Sequence, residues 1–225
     1  MHAILLATAL VAAPAEADCT SPRSAANEIA ACAQTGTLIF SQGDCLAVKM
    51  FTKSPYTHVA AVVIEDGKPY VYDSMNSTGV RKLSLESYCR SECPNTMHVY
   101  KPSAKFSKRR QELFVKHLES ELGRDYAVKH HLTGKRAEGI HCAEYVMDAL
   151  SACRLMRADE PAKVSPDSLR QGVEQAGLYD KALLLNLTKP VQTETGSNWC
   201  DQLWIDTKVC TVQCFGQIGR WFACK

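Results

Sequence analysis

A chain of 225 residues, 46% of them apolar, suits one domain of ordinary size with an appendage and is too apolar to remain disordered. Its net charge is only +2, and the densest basic clusters, at 105–110 and 129–136, are short, which argues against nucleic acid as a partner. Eleven cysteines is a high and odd number, pointing to a disulfide framework with one thiol left over or to a zinc site.

Residues 3–13 form an uninterrupted run of Ala, Ile, Leu, Thr and Val. The run is shorter than the ~20 residues that span a bilayer. Pro14 and the A-x-A pattern Ala15-Glu16-Ala17 follow it, so a secretory signal peptide over 1–17 is expected, with a secreted or extracytoplasmic destination. The segment carries no Lys or Arg, and a buried N-terminal helix is the alternative. No later stretch is apolar enough for a membrane span. Export favours ten cysteines in disulfides and one free thiol. The zinc alternative rests on the C-x3-C spacings Cys89/Cys93 and Cys210/Cys214.

The main domain is expected over 18–190. A helix is predicted at 24–33, a strand at 37–40 and a helical spacing at 45–53. His58-Val-Ala-Ala-Val-Val-Ile64 is rich in β-branched residues, Asp66-Gly67 is a type I′ turn signal, and 70–73 returns as the second strand of a hairpin. With a two-residue loop, Glu65 faces Lys68 and Ala60 faces Asp73. Alternation then puts His58 on the face of Ala60, making Asp73 its diagonal cross-strand neighbour. A further strand is predicted at 97–100. A helix capped by Ser107 and closed by Gly123 is predicted at 107–122, and a polar loop at 125–139. Helix 142–156 follows. Another opens at Ser165-Pro166 and closes at Gly177, and a last strand covers 183–187. Residues 191–225 read as a cysteine-rich tail, expected to be stapled by disulfides because so few residues cannot build a core alone.

Cys142 opens a helix after Gly139-Ile140-His141. A thiol at a helix N-terminus sits at the positive end of the dipole, which favours the reactive thiolate, and the first backbone N–H groups there can stabilise an oxyanion. An imidazole completes such a pair, and a carboxylate behind it fixes the tautomer. His58 and Asp73 fit those roles. Spacing alone is weak support: seven histidines and eleven cysteines offer many pairs, and Cys142 as one more half-cystine is the competing reading. His130 and His131 read as surface residues, and His141 as a bystander or a competing electrostatic partner of the nucleophile.

Several pieces in a fixed order carry a resemblance. They are the stretch from Gly36-Thr-Leu-Ile-Phe40 through Thr52-Lys-Ser-Pro-Tyr-Thr-His58 to Asp73; Leu122-Gly-Arg-Asp-Tyr126; His141-Cys142-Ala143-Glu144-Tyr-Val; and Val164-Ser-Pro-Asp-Ser-Leu169. From about Gly36 to Leu178 the chain resembles the permuted papain-like (NlpC/P60) cysteine amidases, in particular their YiiX/YebB-like branch. The resemblance implies a circularly permuted papain-like α+β fold, an antiparallel sheet packed on helices. It implies Cys142 as nucleophile, His58 as base, Asp73 as orienter and Tyr126 as an aid to the oxyanion. Ala60 and Ala143 depart from the small polar or glycine residues usual at those places, and Asp73 stands where a longer Glu is common. The implied reaction is cleavage or transfer of an amide or ester through a thioester, on peptide-like or N-acyl and lipid-like substrates, with no cofactor and no metal. A catalytically inactive, disulfide-rich secreted binding protein is the reading from a different class.

Overall fold

The computed structural model describes residues 19–43, 49–50, 52–127, 136, 138–188, 197–201, 203–204, 207–208 and 211. The proposed signal segment, most of 45–53, His130, His131 and the tail cysteines Cys210, Cys214 and Cys224 lie outside them.

In chain order the described elements are β1 (Cys19–Thr20), α1 (Pro22–Cys32), β2 (Thr37–Gln42), β3 (His58–Glu65), β4 (Lys68–Met75), β5 (Gly79–Ser84), α2 (Leu85–Glu92), β6 (Asn95–Pro102), α3 (Lys108–Ser120), α4 (Cys142–Ala152), a 3-10 turn (Pro161–Lys163), α5 (Pro166–Gln175) and β7 (Tyr179–Leu187). The seven strands form one sheet in the order β1-β7-β6-β2-β3-β4-β5. Every pairing is antiparallel except the short β1–β7 contact.

Both faces of the sheet are covered. On one, Leu38, Phe40, Val59, Ala61, Val63 and Tyr72 pack against Phe114 and Leu118 of α3, Val146 and Leu150 of α4, and Leu169 and Val173 of α5. On the other, Ile39, Ala60, Val62 and Val71 meet Ala25 and Ile29 of α1 and Leu85 and Tyr88 of α2. Two-sided burial explains why β3 is a continuous apolar run rather than an alternating one. The result is α+β, an antiparallel sheet between helices, as the sequence predicts.

The hairpin turn is as expected: Asp66 and Gly67 both have positive φ, at 48° and 76°, and Glu65 pairs with Lys68. Helix α4 ends earlier than the predicted residue 156. Arg154 takes a left-handed φ of 56°, the Leu155 N–H bonds the Leu150 carbonyl at 3.0 Å, and the Arg154 N–H bonds that of Ser151 at 3.0 Å. This is a Schellman closure made without glycine. Strand β5 and helix α2 are not among the predicted elements. Among the described residues, Cys32, Cys89, Cys142, Cys153 and Cys200 carry free thiols.

Candidate active site

His58 is the first residue of β3, paired with Ser41 of β2. Because the β3–β4 register runs from Glu65–Lys68 to Ala61–Tyr72, Asp73 comes next on β4, diagonal to His58. The two meet: His58 Nε2 donates to Asp73 Oδ2 at 3.1 Å. Asp73 is fully buried and is not held by His58 alone. Arg81 stands directly opposite it on β5 and donates from Nε to Oδ1 at 2.7 Å and from Nη2 to Oδ2 at 3.0 Å. Burial raises the Asp73 carboxyl, but the hydrogen bonds from His58 and Arg81 outweigh it and hold the group below its ordinary value.

Cys142 begins α4, with His141 as N-cap. The loop leading into it is clamped from two sides. Ser74, the residue after Asp73, donates its hydroxyl to the Ile140 carbonyl at 2.7 Å. The Ile140 N–H bonds the Asp125 carbonyl at 2.8 Å. Gly139 is needed for that second contact, since a Cβ there would lie 2.7 Å from the Asp125 carbonyl oxygen and 2.6 Å from Ala127 Cβ. The strand carrying Asp73 and the segment carrying Tyr126 thus both grip the loop before Cys142.

The electrostatics at Cys142 set it apart. Burial pushes the thiols of Cys32, Cys89 and Cys153 up, that of Cys89 to about 12. Burial also pushes Cys142 up, but the His58 charge, hydrogen bonds from His141 and His58, and the His141 charge reverse this and bring the thiol down to about 6. His58 responds in kind. Burial alone would lower it, yet the Cys142 charge, hydrogen bonds with Asp73 and Cys142, and the Glu92 charge raise it well above its ordinary value. A thiolate–imidazolium pair is the state these neighbours favour. The Tyr126 hydroxyl is raised by burial and by the Cys142 charge.

Of the sequence-predicted residues, His58 and Asp73 are hydrogen-bonded, and the Cys142 charge acts on both His58 and Tyr126. Of the two readings of His141, the electrostatic partner fits, since its charge and hydrogen bonding help to lower the Cys142 thiol. Two participants escape the sequence reading. Arg81 becomes visible only once a second hairpin, with Met75 opposite Gly79, sets Asp73 against it. Glu92 ends α2 and is brought to His58 by tertiary packing, with no sequence signal of its own. Burial raises its carboxyl, the His58 charge opposes this, and the Asp73 charge adds to it. His58, Asp73 and Glu92 each place a potential ligand atom within 4.8 Å of the others.

Fold and site together define a cysteine hydrolase of the papain-like class in which the histidine precedes the cysteine along the chain. The sequence matches the family described as permuted papain-like amidase enzyme, YaeF/YiiX, C92 family, over residues 32–201, and the chain belongs to that family. That membership makes it a cysteine amidase or peptidase-like hydrolase. Among solved structures it is similar to that of metalloprotein yiiX from Escherichia coli O157:H7. The TM-score is 0.53 at 19% identity, over 67% of this chain and 96% of that one. No curated protein matches the sequence.

Proposed function

We propose that this chain is an extracytoplasmic cysteine hydrolase or acyltransferase that cleaves an amide or ester bond through a thioester on Cys142. The observation that carries the reading is the arrangement of a buried cysteine at the head of α4 and a buried histidine held by Asp73 at 3.1 Å, in surroundings that lower the thiol to about 6 and raise the imidazole. The Cys142 thiolate attacks the acyl carbon, and the carbonyl oxygen becomes an oxyanion beside the head of α4 and the Tyr126 hydroxyl. His58 gives its proton to the departing amine or alcohol, leaving the thioester. Water or an amine then attacks the thioester, His58 takes its proton, and the acyl product leaves as the thiolate returns. Asp73 keeps Nδ1 of His58 toward the sulfur by holding Nε2. The extracytoplasmic placement rests on the 1–17 segment and the cysteine count.

The test is a pH profile of kcat/KM on an N-acyl amide, with intact-mass detection of the acyl-enzyme. Activity needs the thiolate, present above about pH 6, and the imidazolium, present below the raised value of His58. The rate is expected to rise through about pH 6 and to fall as the pH passes the raised value of His58. A mass increment on a residue other than Cys142 would sink the assignment.

A metal reading does not fit these residues as well. Both Asp73 oxygens already accept from Arg81, so a divalent cation among His58, Asp73 and Glu92 would lie against a guanidinium and draw His58 away from Cys142. Dialysis against EDTA is expected to leave kcat unchanged, and added zinc to inhibit by capturing the thiolate. Activity lost to EDTA and restored by zinc would overturn this.

A further inference from the structure

The mechanism leaves His141 unused, although it is 4% exposed and touches the nucleophile. Its ring is held at both nitrogens. Nε2 donates to the Ala162 carbonyl at 2.9 Å, and Nδ1 accepts from the Glu144 N–H at 3.3 Å. Behind the ring lies the fully buried Glu144, with Oε2 3.8 Å from Nε2 and Oε1 3.7 Å from Arg136 Nε. Cys142 is thus flanked by two similar chains of groups. One runs His58, Asp73, Arg81; the other runs His141, Glu144, Arg136.

We propose, building on Cys142 as nucleophile, that His141 is a second thiolate-positioning residue. As a neutral ring it caps α4 through Nδ1; once protonated it turns that nitrogen into a donor to the Cys142 sulfur. In the neutral form, with Nε2–H given to Ala162, only the Nδ1 lone pair is left, and it takes the Glu144 N–H. In the protonated form Nδ1–H cannot accept, and the adjacent thiolate is the acceptor at hand. The Glu144 carboxylate, 3.8 Å from Nε2, favours the charged form. The direction of titration agrees: burial lowers His141, while its hydrogen bond to Cys142, the Cys142 charge and the Ala162 bond outweigh burial and raise it. His58 keeps the proton-transfer role, because only His58 has an aspartate fixing its far nitrogen. Among the described residues, other ionisable groups also face the pair. Asp73 on β4, Glu92 on α2 and Tyr126 act on the sulfur side, and Asp148 of α4 is taken up by Arg136 at 2.6 Å. On the 3-10 turn that supplies Ala162, Glu160 and Lys163 pair with each other at 2.9 Å.

The discriminating variant is His141→Asn, since Asn caps a helix well but cannot carry a proton. The readout is the rate of iodoacetamide alkylation of Cys142 against pH, alongside kcat/KM. The thiol midpoint is expected to move up from about 6 by about one unit, so alkylation falls roughly tenfold below pH 6 and is unchanged near pH 9. An unmoved midpoint, or an equal loss at every pH, would overturn the proposal, the latter indicating a structural cap only. The wild type supplies an independent check that needs no variant to fold. In histidine-labelled protein, NMR is expected to show the His141 midpoint falling when Cys142 is carboxamidomethylated, and an unmoved midpoint would count against the proposal. Failure of the nucleophile assignment would look different: Cys142 would then not be the site alkylated in the wild type at all.

Discussion

Cys142→Ala is expected to lower kcat/KM by on the order of 10⁵-fold while the protein stays folded. In the proposed mechanism the sulfur bonds to the acyl carbon, and what survives its removal is the contribution of the oxyanion site and substrate positioning. The fold should tolerate the change. Cys142 sits at the first position of α4, alanine is a good helix former, and the main packing of that helix comes from Tyr145, Val146, Ala149 and Leu150. Loss of the thiolate also removes the largest influence raising His58, so the imidazole should titrate lower in the variant, which NMR can follow. Two controls sharpen the result. Cys89→Ala and Cys153→Ala remove buried thiols that burial pushes up, and both are expected to keep full activity apart from any loss of folded protein. Native, unreduced protein treated with iodoacetamide near pH 7 should label Cys142 well before those two. Substantial turnover by Cys142→Ala would mean that the chemistry lies at another residue.

How much of this was legible beforehand depended on range. The His58–Asp73 contact followed from one turn signal and strand alternation, because a two-residue loop fixes register and register fixes faces. The helix at Cys142 and the caps at Ser107 and Ser165 are local grammar and were legible too. Arg81 was hidden because β5 and α2 were not recognised: the polar segment 76–78 separates β4 from a strand whose residues are only partly buried. Glu92 was beyond any local signal, since it reaches His58 only when α2 docks on the sheet. The choice between the two readings of His141 likewise depends on tertiary packing. Nothing in the sequence near it says that Ala162 and Glu144 will close around its ring. The end of α4 was overrun because an arginine, not a glycine, takes the left-handed position that stops it.

Arg81 changes what Asp73→Asn should do. As an orienter of His58 alone, Asp73 would tolerate the change with a folded protein and lower activity, because His58 is misoriented. In the structure Asp73 accepts three hydrogen bonds, one from His58 and two from Arg81, and all three partners are donors. An asparagine has one acceptor oxygen, and its NH2 must face a donor whichever way it turns. Arg81 loses its counter-charge while half-buried, so a stability loss of about 2–4 kcal/mol is expected, at the low end because water still reaches the guanidinium. The sign with pH is fixed by the depressed Asp73 carboxyl. Its stabilising contribution is fully present above the ordinary carboxylate range and fades as the pH falls through the lower folded value, so wild type and variant should converge in acid. Activity should fall by roughly 10²–10⁴-fold. The shape of its pH profile separates chemistry from mere instability. Without the aspartate His58 is less easily protonated, so the alkaline limb moves to lower pH; with less imidazolium beside it the thiol rises, so the acid limb moves up. The bell narrows from both sides. Arg81→Gln is the companion variant: it removes the same ion pair but leaves the carboxylate on His58 Nε2, and so should cost comparable stability with a smaller loss of rate. Equal rate losses in the two variants, with an unchanged bell width, would reduce Asp73 to a structural ion-pair partner and send the search for the orienting group to Glu92.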